Sequence, residues 1–255
     1  MGMTYDEYAH EMAIDELHQE AVMERAKREQ CIYLFVEGES ERIALPTLLG
    51  DLVDLDELGV VVAVYNGNGN LYTALKLLSQ TLSYDRPVIA TYDNDPDGAR
   101  SLRRYKESDF ANDLVFFYSI PISPVVEFPN GHQGGSFEEA FAVEDFLSAC
   151  FSPPILPDEI CERRQEFESI FESSKPWLDQ VRKFCAQHGF KDWSAKKPVL
   201  AERLAEDCAV TPDTYEKLAK LIQDIREQHP VRHPDDVKLP KVHGLTYRPN
   251  KKNGN

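Results

Sequence analysis

Long apolar runs are missing from this 255-residue chain. None nears the roughly 18 residues that a membrane-spanning helix needs. The opening MGMTYDEYAHEMAIDELHQE lacks the basic start and apolar middle of a secretory signal. A cytoplasmic location without membrane attachment is therefore expected. Cysteine is scarce and scattered: Cys31, Cys150, Cys161, Cys185 and Cys208, with no C-x-x-C pair. That argues against a structural zinc site and favours reduced thiols. Positive charge is short, with 28 Lys and Arg against 44 Asp and Glu and a net charge of −16. Residues 31–150 hold 7 basic and 19 acidic groups, whereas 151–255 hold 18 and 17. A chain that grips nucleic acid unaided shows a basic face, and this one advertises none. Bound cations or a basic partner would change the local sign. No G-x-x-x-x-G-K-[ST] phosphate loop occurs anywhere. NGNGN (66–70) fits neither that pattern nor G-x-G-x-x-G and reads as a turn. Internal repeats and coiled-coil heptads are also lacking.

What is present is a strand–helix alternation. Residues 4–29 read as a polar helix in which Ile14, Leu17 and Ala21 keep a 3,4 spacing. It either packs on the domain or meets a partner chain. CIYLFV (31–36), GVVVAVY (59–65), RPVIATY (86–92) and DLVFFYSI (113–120) are short apolar runs with strong β-formers, hence buried strands. Helices fit between them at 39–50, 70–80 and 96–108, the first carrying Pro46 as an expected kink and the second taking Asn70 as N-cap. Strands without polar alternation, separated by helices, predict an α/β fold: a doubly wound parallel sheet covered on both faces. Residues 157–190 and 195–228 read as helical, giving a C-terminal helical extension. The expected organisation is a helix over 1–30, the α/β domain over 31–150, the extension over 151–240 and a flexible tail over 241–255.

Ligands of doubly wound sheets gather at the carboxyl ends of the strands. Two acidic clusters fall there. VEGESE places Glu37 at the end of the first strand and Glu41 one helical turn on; TYDNDPDG places Asp93, Asp95 and Asp97 after the third. Ionised carboxylates about 5 Å apart repel by roughly 3 kcal/mol per pair at an effective dielectric of about 20. A divalent cation turns that repulsion into shared coordination, and hard oxygen donors suit Mg²⁺ or Mn²⁺. If the first and third strands are neighbours, Glu37, Glu41, Asp93 and Asp95 converge on one rim. Asp97, with Gly98, is expected to shape the turn and cap the next helix. Thr91 either supports the ion or is simply a strand residue, the second being preferred. A calcium-loop reading of DNDPDG fails, because its twelfth position is Arg104 and it follows a strand.

A strand ending in Glu-Gly and a later strand ending in D-x-D resemble the Toprim domain of topoisomerases, primases and nucleases, over about residues 31–150. EGESE, with its second acid at Glu41, is most similar to OLD-family nucleases, in which a Toprim domain follows an ABC-type ATPase. The resemblance implies a further acid, Glu138 (or Glu139) in GGSFEEAF, and a lysine, Lys197 (or Lys196) in SAKKPVLAERLAE. It implies a metal-dependent endonuclease hydrolysing phosphodiester bonds with one or two ions. Glu37 would ligate metal and orient the attacking water, Asp93 and Asp95 would anchor the main ion, Glu41 and Glu138 would complete a second site, and Lys197 would neutralise phosphoryl charge. Without a Walker A sequence the chain is expected to be a standalone unit with a separate ATPase partner, acting on DNA ahead of RNA and by analogy in antiviral defence. Self-association stays open. The rival expectations are a small RNA-processing Toprim nuclease and a non-catalytic assembly module.

Overall fold

The computed structural model describes residues 5–81 and 86–236. The tail expected at 241–255 lies outside the described residues. Contacts divide the chain into two units: Cys31–Pro230, and the segments on either side of it.

In the flanking unit, α1 (Tyr5–Glu29) carries exposed charge rungs, Lys27 to Glu24 and Arg25 to Glu29. Each adds a few tenths of a kcal/mol to the helix, about what exposed pairs contribute. The Gln30 side chain donates to the Arg232 carbonyl at 2.7 Å and accepts from the Arg232 N–H at 2.9 Å. Leu17 is 65% exposed and Ala21 is exposed as well, so the stripe suggested by their spacing is not buried there.

In the larger unit, β1 (Ile32–Val36), β2 (Val60–Val64), β3 (Val88–Asp93) and β4 (Val115–Ile120) form a parallel sheet in the order β2-β1-β3-β4. The crossovers are α2 (Glu39–Gly50), α3 (Asn68–Thr81) and α4 (Pro96–Lys106). Successive strand residues point to opposite faces, and both faces are covered. Ile32, Leu34, Val36 and Ile89 join Ala44, Leu45 and Leu48 of α2 on one side. Tyr33, Phe35, Val88 and Ala90 meet Leu71, Leu75 and Tyr105 of α3 and α4 on the other. This bears out the doubly wound α/β reading. It also explains the sequence pattern, since a strand buried on both faces has no polar side to show.

After β4 come a short antiparallel pair, β5 (Val126–Glu127) and β6 (Gln133–Gly134), and a 3₁₀ turn at Phe137–Ala140. Six helices follow: α5 (Val143–Cys150), α6 (Asp158–Cys161), α7 (Arg164–Glu168), α8 (Trp177–Gln187), α9 (Lys197–Asp207) and α10 (Asp213–Gln228). Trp177, Phe184, Leu200, Leu204, Leu218 and Ile222 are buried in the same cluster as the α2 face, and α9 packs along α2. Residues 31–150 and 151–230 thus share one hydrophobic core.

Local departures from the sequence pattern have identifiable causes. The helical run expected at 157–190 is broken before α8, where Pro176 stands at the N-cap, and the run at 195–228 is broken before α10 at Pro212. A proline ring fits a helix start but not its interior. α2 nevertheless runs through Pro46. Asn66 (φ 58°) and Gly67 (φ 97°) make the turn after β2 in the left-handed region, so α3 begins at Asn68 rather than at Asn70. Asn70 sits in its first turn and donates to the Asn66 carbonyl at 2.6 Å.

Gly134 ties the hairpin to the end of β3. The Gly135 N–H donates to the Asn94 carbonyl at 2.8 Å, and a Cβ on Gly134 would lie 1.7 Å from that oxygen. Gly134→Ala is expected to lower stability by about 2 kcal/mol, near the upper part of the usual range for one substitution. Gly50→Ala, with open space around it, is the control and should cost nothing. Urea midpoints of the two variants check this.

Candidate metal centre

The site grows out of two adjacent strand ends. β1 and β3 pair in register, Tyr33 with Val88 and Phe35 with Ala90, so their carboxyl ends lie side by side. Glu37 follows β1 directly. Gly38 then caps α2 in an extended conformation, and its N–H donates to Glu41 Oε2 at 3.0 Å. That bond fixes Glu41 against the turn. Asp93 ends β3, and its Oδ1 accepts from the Phe137 N–H at 3.1 Å. Ligand atoms of Glu37, Glu41 and Asp93 lie within 4.8 Å of one another.

Those three carboxylates line a pocket of about 290 Å³ with Gly38, Ser40, Asn66, Gly67, Phe137, Glu138 and Lys197. Glu138 is 3% exposed, and its buried Oε2 has no hydrogen-bond partner among the described residues. The Lys197 ammonium, on a side chain 56% exposed, stands 4.0 Å from the other oxygen, Oε1. So four acids and one lysine, drawn from β1, α2, β3, the 3₁₀ turn and α9, meet in one pocket.

Burial and mutual repulsion govern the charge states. Burial, aided by the charges of Glu37 and Glu138, pushes Glu41 up to about 7. Asp93 is raised well above the carboxylate range by burial and by the charges of Glu37, Glu41 and Glu138; Lys197 opposes this. Lys197 is itself raised, first by Glu138, and stays charged. A cluster that resists ionisation alone is one that a cation completes. The donors are all carboxylate oxygens, and Glu138 stands beside them with a buried oxygen that no described residue bonds. The set fits a hard divalent cation.

The expectation for Asp97 needs correction, and Asp95 stands outside the group of three acids. Asp95 is the N-cap of α4, where its Oδ1 accepts from the Gly98 N–H at 2.6 Å, with Pro96 beginning the helix. The capping role expected of Asp97 belongs to Asp95, and Asp97 pairs with Arg100 on the surface at 2.9 Å. Gly98 is required at this turn, since a Cβ there would sit 2.2 Å from the Asp93 carbonyl.

The paired alternatives separate cleanly in space. Glu139 forms a capping box: its Oε2 accepts from the Ser136 N–H and hydroxyl, and its Oε1 from the Trp177 N–H at 2.8 Å. Its oxygens are committed to the fold, whereas Glu138 faces the pocket. Lys196 is the exposed N-cap of α9 and Lys197 lines the pocket. The Thr91 hydroxyl donates to the Phe35 carbonyl at 3.1 Å, joining β3 to β1. Asn66 and Gly67, read from the sequence as a turn with its backbone near the rim as the lesser alternative, do stand at the rim; the Gly67 N–H donates to the Glu37 carbonyl at 2.9 Å.

Residues 32–95 match the sequence model of the family described as "Overcoming lysogenization defect protein-like, TOPRIM domain". Solved structures similar to the chain include the C-terminal region of the Burkholderia pseudomallei OLD protein, at 17% identity over 76% of this chain and 97% of that one, with a TM-score of 0.46. Another is the C-terminal region of the Xanthomonas campestris pv. campestris OLD protein, at 22% identity over 78% of this chain and 95% of that one, also with a TM-score of 0.46. No curated protein matches the chain.

Proposed function

We propose that this chain, which carries an OLD-like Toprim domain over residues 32–95, is a nuclease that hydrolyses phosphodiester bonds with the help of Mg²⁺ or Mn²⁺. The observation that carries this reading is the meeting of Glu37, Glu41 and Asp93 within 4.8 Å, beside the orphaned buried oxygen of Glu138. Repelling carboxylates destabilise a fold, and a cation offsets the cost.

Glu37, Glu41 and Asp93 hold the ion, and Glu138 supplies a further ligand on the Lys197 side. Asp95 is assigned to the turn that presents Asp93. A divalent cation so held supplies Lewis-acid assistance to an in-line displacement at phosphorus. Glu37, at the end of a rigid strand, is placed to orient the attacking water. Lys197, charged and half exposed, reaches the phosphoryl oxygens and neutralises the charge that develops there. Lys197→Ala is expected to lower cleavage about tenfold, a loss near 1.4 kcal/mol of transition-state stabilisation. Mn²⁺ affinity should stay the same or tighten, because a competing positive charge has gone. Steady-state cleavage and Mn²⁺ titration together check this.

The net charge of −16 supports a basic partner for nucleic-acid grip. We assign that role to a separate ABC-type ATPase, with DNA ahead of RNA as substrate and defence against viruses as the setting. The five cysteines are free thiols, in keeping with a reducing cytoplasm. None of the described helices is long and apolar enough to cross a membrane. The test is cleavage of duplex DNA and of structured RNA by the purified chain in Mg²⁺ and Mn²⁺, alone and with proteins that copurify. Cleavage that disappears with a chelator supports the proposal. Calorimetry showing no divalent binding at millimolar concentration would leave the non-catalytic assembly module as the better account.

A further inference from the structure

Tyr215 lies in the first turn of α10, far along the chain from every residue of the acidic pocket except Lys197. Its side chain is 0% exposed. The ring packs against Phe137 and Phe141, with centroids 6.3 and 5.9 Å away. Phe137 is the residue whose N–H donates to Asp93, and it directly precedes Glu138. The Tyr215 hydroxyl is buried and has no hydrogen-bond partner among the described residues. Nearby Tyr118 is different: its hydroxyl donates to the Thr214 carbonyl at 2.5 Å.

An unpaired buried hydroxyl is a net cost, and phenylalanine would fill the same ring space without it. Burial first, and then the charges of Glu41, Asp93 and Glu138, raise the Tyr215 hydroxyl well above its ordinary value; Phe137, its ring neighbour, lines the pocket with all three acids. Tyr215 itself does not line the pocket, so it stands behind the part of the wall formed by Phe137. One buried acceptor on that wall, Glu138 Oε2, is likewise unpartnered.

We propose that Tyr215 is a positioning residue for the metal centre, its hydroxyl donating to the inward-turned oxygen of the carboxylate set, Glu138 foremost, when a cation engages the outward ones. The inference rests on the cation-binding reading of the pocket. Donors behind metal-ligating carboxylates fix their orientation, and removing one typically weakens metal affinity tenfold or more. In the metal-free protein the same hydroxyl is a liability, so its removal has opposite effects on the two states.

The experiment is Mn²⁺ binding by titration calorimetry, with thermal unfolding in chelator, for the wild-type chain, Tyr215→Phe and Tyr118→Phe. Tyr215→Phe is expected to bind Mn²⁺ about tenfold more weakly, while its metal-free melting temperature is equal to or above that of wild type. Tyr118→Phe loses a made hydrogen bond and should melt lower with unchanged Mn²⁺ affinity. Unchanged Mn²⁺ affinity in Tyr215→Phe overturns the inference while leaving the metal centre intact. Absence of Mn²⁺ binding by the wild-type chain overturns both.

Discussion

On the proposed nuclease reading, Asp93→Asn is expected to abolish divalent-dependent cleavage, by a factor of about 10³ or more, without destabilising the metal-free protein. Asparagine keeps the shape of aspartate and can still accept from the Phe137 N–H, which now reaches Asp93 Oδ1 at 3.1 Å. It removes one negative ligand from a set of three that meet within 4.8 Å. Losing several kcal/mol of charge stabilisation in the transition state corresponds to about three orders of magnitude in rate. In the absence of metal the sign reverses. Burial and the charges of Glu37, Glu41 and Glu138 disfavour ionised Asp93, so neutralising it relieves strain. The expected signature is thus dead enzyme with an unchanged or higher melting temperature in chelator. Cleavage within tenfold of wild type would remove Asp93 from the chemistry, and cleavage lost together with a collapsed melting curve would assign it to the fold alone.

The contrast between Asp93 and Asp95 shows what the sequence carries and what it hides. The strands were legible because each is an apolar run, with the central β1 and β3 the most deeply buried, and Glu37 and Asp93 stand at the ends of those two. In DNDPDG, though, the two outer acids of the D-x-D look equivalent. Their fates diverge because the helix begins at Pro96, which makes Asp95 the N-cap. That signal was available: proline favours the first helical position, and the residue before it then caps. Likewise Ser136 and Glu139 form S-x-x-E, the spacing of a capping box, which leaves Glu138 for the pocket. Other features left no local trace. Tyr215 meets Phe137, at the wall of the acidic pocket, only because α10 packs in the same core as α2. The rim position of Asn66 and Gly67 depends on a hydrogen bond to Glu37. Such placements are made by tertiary packing, and a pattern read along the chain does not contain them.

Stability of the metal-free protein is expected to fall as pH rises from about 4.5 to about 7, and Glu41→Gln to flatten that fall. Glu41 is 6% exposed, and burial, aided by Glu37 and Glu138, lifts it from an ordinary 4.5 to about 7. Its protonated form is therefore the one the fold favours. Below the unfolded value both states hold the proton and the stability it confers is fully present. Between the two values only the folded state holds it, so the folded state binds more protons and each step up in pH costs stability. A shift of this size is worth about 3 kcal/mol across the window. Other acids of the region, Asp93, Asp95 and Glu139, are displaced in the same direction, which is why the difference between wild type and Glu41→Gln is the quantity to measure. Urea unfolding of both proteins in chelator at pH 5, 6, 7 and 8 gives it. The gap should open with pH in favour of Glu41→Gln. Adding Mn²⁺ at pH 8 should close or invert it, because the ion stabilises only the folded chain and prefers the carboxylate to the amide. Parallel pH profiles for the two proteins would mean that Glu41 ionises freely in the fold, and the repulsion that makes a cation necessary would not exist.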